Sequence, residues 1–372
     1  MTERSGPVID EGARIYGWAR RTLYGEGGRT GLAARTAARP LGWTWNRLAR
    51  RRLERRRTAE RLPGPALGVG NVTVGGGGKT SLVMWLIEAG LPEEARPAVL
   101  LRGYGRTGPG VWVLKPGDLS VGADVVGDEP ALLARSGAWV GVARDRCRAA
   151  QAVAARRRPH VFILDDALQN RRVARVLDLV VFTSEDLLAP ARCLPAGPLR
   201  QGPAWQPALG VWLVVGMDPR ERVWPEGTIG RAFAGWWHEL AGFVAEWRDA
   251  GTISLSAWRA GREIPWEPED EVVAVTGVAK PESVARFAAD VGFPVTRVAA
   301  FPDHHRFREV EIRFLIEEHP GAAFVITEKD AVKVDAAWFG DRPVGVLRRR
   351  LAPVDPEPLR DLVREAIGWP HR

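Results

Sequence analysis

The stretch from Val69 to Thr80, VGNVTVGGGGKT, constrains the fold of this chain more than any other segment. An apolar run precedes it and a helix-like segment, residues 81–89, follows it. In a strand, glycine loop and helix in this order, backbone N–H groups point at phosphate oxygens, Lys79 neutralises the terminal phosphates, and the Thr80 hydroxyl ligates Mg²⁺. The predicted nucleotide-binding residues are Thr73, Val74, Gly75, Gly76, Gly77, Gly78, Lys79 and Thr80.

This phosphate loop departs from the strict pattern at one position. Thr73 stands where a glycine is expected, and Gly75, Gly76 and Gly77 keep the loop open to a close phosphate approach. The alternative is a flexible glycine-rich turn. It is less favoured, because Gly-Lys-Thr falls where a helix should begin.

The distribution of charge argues against a general nucleic-acid surface. The chain has 372 residues and a formal net charge of +8. Residues 1–61 contain 15 arginines and six acidic residues, a net charge of +9, so the body of the protein is nearly neutral. We therefore expect no nucleic-acid partner.

The two cysteines, Cys147 and Cys193, fit no metal or redox spacing, which is typical of a reducing compartment. The sequence shows neither a spanning apolar run nor a secretory h-region, so we expect no transmembrane segment and no signal peptide.

The N-terminal region divides into two parts. Residues 1–40 are rich in Gly, Ala, Thr and Arg with weak periodicity, and we predict a poorly ordered extension. In residues 41–62, apolar positions recur near helical spacing with arginines between them, which predicts a basic amphipathic helix. Such a helix suits the interface of an anionic membrane. A solvated helix packed on the body, or a nucleic-acid arm, are the alternatives.

Residues 66–220 alternate apolar runs with helix-like runs, which predicts an α/β fold with a parallel sheet covered by helices on both faces. Ligands then bind at the carboxyl ends of the strands. Residues 221–268 are rich in tryptophan and lack this rhythm, so we interpret them as a connection. The rhythm resumes at residue 271 and predicts a second, smaller α/β domain. The predicted strands are residues 66–72, 97–101, 111–114, 138–142, 160–164, 177–182, 209–215, 271–276, 294–299, 322–327 and 344–348.

Acidic residues follow two of these segments. Asp165 and Asp166 end an apolar strand, as the Mg²⁺-binding carboxylates of phosphate-loop proteins do. Asp128 precedes a predicted helix, and local sequence alone favours a helix cap. Arg200 stands in a Pro- and Gly-rich loop and is a candidate clamp for anionic groups.

Two motifs stand in the second half. The Asp303-His304-His305 cluster suits a metal site or, alternatively, acid–base chemistry with a carboxylate across the cleft. Thr327, with Asp330 three residues later, is a capping arrangement.

The ordered set of motifs over roughly residues 41–350 resembles the tetraacyldisaccharide 4′-kinase family of lipid A biosynthesis. The segments that carry the resemblance are Val69–Gly76 with Gly78–Thr80, Arg102–Gly105, Gly127–Pro130, Asp165–Asp166 with Leu168–Gln169, Leu194–Arg200, Phe301 with Asp303–His305, and Thr327–Lys333.

The resemblance implies that ATP, with Mg²⁺, phosphorylates the 4′-hydroxyl of a tetraacylated glucosamine disaccharide 1-phosphate. It implies peripheral attachment to the cytoplasmic face of a bacterial inner membrane, with an anionic membrane surface as partner. Asp128 and His304 would deprotonate the sugar hydroxyl, which reverses the local interpretation of Asp128. Thr80 and Asp166 would bind the metal, and Asp165 and Arg200 would serve the catalytic centre.

Composition and periodicity divide the chain into five predicted segments. The segments are a poorly ordered extension (1–40), a membrane-associating helix (41–62), a P-loop kinase domain (63–220), a Trp-rich linker (221–268) and a C-terminal α/β domain (269–372).

Several positions depart from the family pattern. Gln201 replaces an acidic residue, and Asn170 replaces a histidine. The other departures are Ala167, Gly77, Ser81 and Lys280. Two alternatives therefore stay open: a kinase or NTPase of a soluble acceptor, and a membrane-bound nucleotide-binding scaffold without catalysis.

Overall fold

A single mixed sheet organises the protein. The computed structural model describes residues 11–54, 59–75, 77–118, 120–202, 210–267 and 271–370. Among these residues, the strands are β1 (Ala66–Gly70), β2 (Pro97–Leu101), β3 (Trp112–Leu114), β4 (Trp139–Val142), β5 (Val161–Leu164), β6 (Leu177–Thr183), β7 (Gly210–Val215), β8 (Ala241–Ser254), β9 (Val272–Thr276), β10 (Val295–Ala300), β11 (Ala323–Thr327) and β12 (Val344–Pro353).

Helices cover this sheet. Those in the described part of the chain are α1 (Glu11–Tyr24), α2 (Gly28–Ala37), α3 (Arg39–Glu54), α4 (Lys79–Trp85), α5 (Ala123–Val126), α6 (Asp128–Arg135), α7 (Arg146–Ala154), α8 (Ser184–Leu188), α9 (Ile229–Ala232), α10 (Ala234–Glu239), α11 (Leu255–Arg259), α12 (Pro281–Asp290), α13 (Glu309–Glu318), α14 (Glu328–Ala331) and α15 (Glu357–Ala366). A π-helical turn, Leu86–Gly90, continues α4. Two 3₁₀ turns lie at Pro219–Glu221 and Ala336–Phe339.

The strand order is β10-β9-β11-β12-β8-β7-β6-β1-β5-β2-β4-β3. The strands from β7 to β4 along this order are parallel, and β3 is antiparallel at the edge. The strands β9 to β12 form a second parallel set. Most of these strands are buried along their whole length, as parallel strands covered by helices must be. The predicted α/β fold with a parallel sheet is confirmed.

Strand β8 joins the two sets. It is parallel to β7 over Val211–Val215 and antiparallel to β12 over a longer stretch. We expected residues 221–268 to be a connection without α/β rhythm, but 14 of them form this strand. The strand is only partly buried, so its sequence carries charged residues such as Glu246 and Arg248 rather than an apolar run.

The N-terminal region also differs from expectation. Residues 11–37, expected to be a poorly ordered extension, form α1 and α2; residues 1–10 lie outside the described residues. Small residues let these helices pack closely, since a Cβ atom at Gly31 would lie 3.3 Å from the Thr22 hydroxyl. The buried residues of α2 are Gly31 and Arg35, so the sequence shows no apolar stripe for this helix.

The predicted helix over residues 41–62 is shorter in the structure. Helix α3 runs from Arg39 to Glu54, residues 55–58 lie outside the described part, and residues 59–62 are not helical. Glu60 instead forms a bridge with Val173. Pro63 and Pro65 follow directly, and a proline disfavours the helical conformation of the residue before it.

Candidate active site

The glycine loop lies between β1 and α4 and shapes one wall of an open cleft of about 1870 Å³. Gly78 has φ of +86°, and a Cβ atom there would lie 2.9 Å from a Leu351 methyl carbon. The backbone of this loop therefore needs glycine at its last position. Val74, Gly75, Gly77, Gly78, Lys79 and Thr80 line the cleft, whereas Gly76 lies outside the described residues.

The Lys79 ammonium is oriented by the loop itself. Its Nζ atom donates to Asn71 Oδ1 at 3.1 Å and to the Gly75 carbonyl oxygen at 3.4 Å. It also lies 3.5 Å from Asp166 Oδ1. Thr73, which we predicted to bind nucleotide, is almost completely buried, and its hydroxyl accepts a hydrogen bond from Asn71 Nδ2 at 3.1 Å. Its side chain therefore lies behind the loop.

Thr80 pairs with the first of the two adjacent aspartates. The Thr80 hydroxyl donates to Asp165 Oδ2 at 3.0 Å, and Asp165 Oδ1 accepts from the backbone N–H of Asp166 at 2.8 Å. Burial, reinforced by the Glu129 carboxylate, raises the pKa of Asp165 to about 7. A hydroxyl and a carboxylate beside a phosphate loop are a donor set that suits Mg²⁺.

The Asp166 carboxylate pairs with Arg200 rather than with Thr80. Arg200 Nη1 donates to both of its carboxylate oxygens, at 2.8 and 3.0 Å. Burial alone would raise the pKa of Asp166, but Lys79 and Arg200 outweigh it and hold that pKa below its ordinary value. Asp166 is thus a carboxylate between two cations at neutral pH.

The second feature of the site is a carboxylate–histidine pair. His304 Nδ1 lies 3.1 Å from Asp128 Oδ2, although the two residues are 176 positions apart. Burial would raise the pKa of Asp128, but the hydrogen bond to His304 and the charge of Lys333 outweigh it, and the pKa is lowered. Asp128 begins α6 without a side-chain cap hydrogen bond, so the capping interpretation from local sequence is wrong.

Asp166 and His304 have an unusual backbone conformation. Among the described residues, Asp166 and His304 are the only non-glycine residues with positive φ, at 50° and 62°. Such conformations cost on the order of 1–3 kcal/mol and persist where the surroundings over-determine them. Both residues lie at the cleft.

A buried network supports the histidine loop. Asp330 is fully buried and accepts hydrogen bonds from the hydroxyls of Thr276 and Thr327, at 2.9 and 2.7 Å. Its other oxygen lies 2.8 Å from Lys333 Nζ. Thr327 also caps α14, because its hydroxyl accepts from the backbone N–H of Asp330 at 3.2 Å, as the sequence predicted. The role of Asp330 beyond the cap carried no signal in the sequence.

The two adjacent histidines have different surroundings. His305 Nε2 lies 3.0 Å from Glu311 Oε2, and its ring stacks on Phe301. His304 Nε2 lies 3.4 Å from Lys329 Nζ. No group of three or more His, Cys, Asp or Glu side chains in the described part of the chain could hold a metal ion, so the Asp-His-His metal site finds no support there.

Helix α3 packs on the loop that carries Arg200. The Trp45 indole donates to the Arg200 carbonyl oxygen at 3.1 Å, and Asn46 Oδ1 accepts from the backbone N–H of Gly202 at 3.1 Å. Helix α3 exposes Leu41 and Leu48, seven positions apart on one side of the helix, and Trp43 on another side. None of the helices in the described ranges has the length and hydropathy needed to cross a bilayer.

Comparison with known proteins gives one consistent result. The family model described as Tetraacyldisaccharide-1-P 4′-kinase matches residues 34–368. A Tetraacyldisaccharide 4′-kinase of Methylobacterium radiotolerans is 35% identical over 334 residues, 89% of this chain and 94% of that protein. Its namesake from Alkalilimnicola ehrlichii is 37% identical over 307 residues, 78% of this chain and 82% of that protein.

A solved structure has the same fold. The crystal structure of the "apo" form of LpxK from Aquifex aeolicus in complex with ATP matches with a TM-score of 0.71 and 24% identity. The match covers 90% of this chain and 99% of that chain.

Proposed function

The chain belongs to the tetraacyldisaccharide 4′-kinase family and is an ATP-dependent 4′-kinase of lipid A biosynthesis, and from this premise we propose how its residues act. The acceptor is the 4′-hydroxyl of a tetraacylated glucosamine disaccharide 1-phosphate. The observation that carries the proposal is that Thr80, Asp165 and His304 line one cleft, with Thr80 bonded to Asp165 and His304 paired with Asp128.

The phosphate loop binds ATP. Its backbone N–H groups and the Lys79 ammonium hold the phosphates, as Gly78 permits their close approach. Thr80 and Asp165 would hold Mg²⁺, because the Thr80 hydroxyl already lies 3.0 Å from that carboxylate. This assignment exchanges the roles expected for Asp165 and Asp166. When bound, Mg²⁺ neutralises charge that develops on the transferred phosphoryl group.

Asp128 and His304 act on the acceptor hydroxyl. With its pKa lowered, Asp128 is a carboxylate at neutral pH and can take the proton as the hydroxyl attacks the γ-phosphorus. The hydrogen bond to His304 fixes the orientation of the carboxylate. Lys329, beside the other ring nitrogen, favours the tautomer that donates from Nδ1 to Asp128.

Arg200 stabilises negative charge at the phosphoryl group. Asp166 orients its guanidinium through two hydrogen bonds, which leaves the remaining donors of the fork for phosphate oxygens. Gln201, where the family has an acidic residue, is buried beside Arg200, and neither of its amide atoms has a hydrogen-bond partner in the described part of the chain. None of the departures removes Lys79, Thr80 or Asp165, so we expect activity.

The enzyme reaches its lipid acceptor from a membrane surface. Helix α3 exposes apolar side chains and carries arginines, a combination that suits the headgroup region of an anionic bilayer. The hydrogen bond between Trp45 and the Arg200 carbonyl places this face beside the catalytic loop. The location that fits is the cytoplasmic face of the bacterial inner membrane, with peripheral attachment.

The test is phosphate transfer from labelled ATP to a tetraacyl disaccharide 1-phosphate in mixed micelles. Wild type should transfer phosphate, and Lys79→Ala should lose transfer and Mg·ATP binding together. Lys115→Ala, at an exposed position away from the loop, is the matched control. If wild type binds Mg·ATP but transfers nothing, the scaffold alternative replaces the kinase. Transfer to soluble sugars but not to the lipid would favour the soluble-acceptor alternative.

A further inference from the structure

Helix α1 contacts the phosphate loop, although it precedes the residues that the family model matches, 34–368. The Tyr24 hydroxyl lies 2.7 Å from the Val74 carbonyl oxygen and 2.9 Å from Asp186 Oδ1. A Cβ atom placed on Gly75 would lie 3.7 Å from the same hydroxyl. One side chain of the N-terminal region therefore touches two consecutive residues of the loop.

Tyr24 is linked to the loop lysine through the residues next to Val74. Thr73, directly before Val74, accepts a hydrogen bond from Asn71 Nδ2 at 3.1 Å through its hydroxyl. Asn71 Oδ1 then accepts from Lys79 Nζ at 3.1 Å. Thr73 and Asn71 are each 1% exposed, so water does not compete for these bonds. The position of the Lys79 ammonium is thus linked to the phenol of α1.

The Tyr24 phenol stays protonated. Burial, together with the Asp186 charge, raises its pKa far above the ordinary tyrosine value. A protonated phenol can donate to the Val74 carbonyl oxygen or to Asp186. Asp186 is itself fixed, because its second carboxylate oxygen accepts from the backbone N–H and the hydroxyl of Thr183, at 2.8 Å each.

A second link runs from the same face of α1. Arg20, one turn before Tyr24, lies over the tyrosine ring at 5.2 Å and forms an ion pair with Glu185. Glu185 also pairs with Lys280, which follows β9 in the other half of the protein and lines the cleft. Helix α1 therefore contacts the phosphate loop through Tyr24 and is linked to Lys280 through Arg20 and Glu185.

The end of α1 is held in place. Arg35 of α2 is 9% exposed and donates from Nη1 to the Thr22 carbonyl oxygen at 3.0 Å. This bond satisfies a carbonyl in the last turn of α1, which has no partner within the helix. Helices α1 and α2 form a hairpin that leads directly into α3, so Tyr24 is anchored rather than carried on a free end.

We propose that Tyr24 is a positioning residue for the nucleotide site, and that Arg20 acts with it through Glu185. Tyr24 holds the Val74–Gly75 backbone and the Lys79 ammonium in the geometry that binds ATP phosphates. This inference rests on the proposed function only in taking the loop as an ATP site, and it adds the N-terminal helix to that site.

The test is Mg·ATP binding by Tyr24→Phe, measured by calorimetry on the full chain. The substitution removes one oxygen atom and keeps the ring. Loss of one buried hydrogen-bonding group predicts binding weaker by about 3- to 10-fold. The KM for ATP should rise by a similar factor, while the KM for the lipid acceptor stays unchanged. Arg21→Gln, at an exposed position of the same helix, is the control and should bind as wild type does.

A double-mutant cycle tests the second link. Arg20→Gln and Glu185→Gln should each weaken Mg·ATP binding by about 2- to 5-fold. The double variant should be no weaker than the worse single variant if the two act as a pair. Additive effects would refute the pair, and Arg20→Gln stands in for Tyr24→Phe if that variant does not fold.

The outcomes separate this inference from the function. Wild type that binds Mg·ATP but transfers no phosphate refutes the lipid kinase and leaves the Tyr24 test intact. Wild-type affinity in Tyr24→Phe, in an enzyme that phosphorylates the lipid, overturns the positioning role alone. Equal rises in both KM values would indicate a general disturbance of the cleft and would also overturn it.

Discussion

Replacing Asp128 with asparagine should slow phosphate transfer by about 10²- to 10⁴-fold, the usual contribution of a positioned general base. Asparagine keeps the shape of the side chain and removes its charge. Because the pKa of Asp128 is lowered, that charge is present throughout the neutral range and its loss is complete. The rate loss corresponds to about 3–5 kcal/mol of transition-state stabilisation at 1.36 kcal/mol per tenfold.

The stability of this variant should change far less. Lys333 is 4% exposed and lies 3.8 Å from Asp128, but its closer partner is Asp330 at 2.8 Å. The lysine therefore keeps a counter-charge after the substitution. Weakening of the hydrogen bond to His304 should lower the free energy of unfolding by about 1 kcal/mol. The rate loss then exceeds what any loss of folded protein explains.

The assay compares transfer in mixed micelles with Mg·ATP binding and thermal unfolding of the same samples. His304→Gln should behave as Asp128→Asn does, whereas His305→Gln should retain most activity, since His305 pairs with Glu311 outside the catalytic pair. The reasoning fails if Asp128→Asn stays within fivefold of wild type, or if its rate loss is matched by an equal loss of Mg·ATP binding.

Three further predictions use other features. Gly78→Ala should weaken Mg·ATP binding at least tenfold, because φ of +86° and the 2.9 Å approach to Leu351 leave no room for a methyl group; calorimetric affinity equal to wild type would contradict this. Asp165→Asn should raise the unfolding temperature of the ligand-free protein by about 2 °C or more at pH 8. Burial raises the pKa of Asp165 in the folded protein to about 7, so the stability that protonated Asp165 contributes is present below the pKa of the unfolded chain and is lost as pH rises through 7. The increase in unfolding temperature should therefore vanish at pH 4. An increase that does not depend on pH would refute ionisation of Asp165 as its cause. Leu41→Glu should weaken sedimentation with phosphatidylglycerol vesicles about tenfold, whereas Val310→Glu, at a similarly exposed apolar position, should not; equal loss in both would argue against a specific membrane face.

The sequence predicted most of the sheet because buried parallel strands are continuous apolar runs. Pro97–Leu101 matches the predicted β2, and the predicted strand at 177–182 is one residue shorter than β6. Strand β8 was not predicted, because it is half exposed and its apolar residues follow no simple strand periodicity. Helices α1 and α2 were not predicted, because the buried residues of α2 are Gly31 and Arg35 and no large apolar stripe marks that helix.

The site was less accessible to sequence reasoning. The residues of the phosphate loop are consecutive in the sequence, so the spacing of Gly78, Lys79 and Thr80 alone indicates phosphate binding. The contact between Asp128 and His304 spans 176 positions, and only the family resemblance linked the two residues. The metal role that we propose for Asp165 rather than Asp166 follows from the left-handed turn of the backbone at Asp166 and the hydrogen bonds of its carboxylate with Arg200. No sequence pattern reveals that turn.

The ladder between β8 and β12 has a consequence for chain continuity. The exposed turn at residues 261–263 lies just after β8 and α11, so a break there would leave the phosphate loop on one fragment and His304 on the other. To join, the fragments would have to restore the antiparallel pairing from Gly345–Ser254 to Pro353–Ala245. Co-expressed fragments would then regain phosphate transfer only to the extent that β8 pairs with β12. The phosphate-transfer activity would therefore report the association of the two fragments.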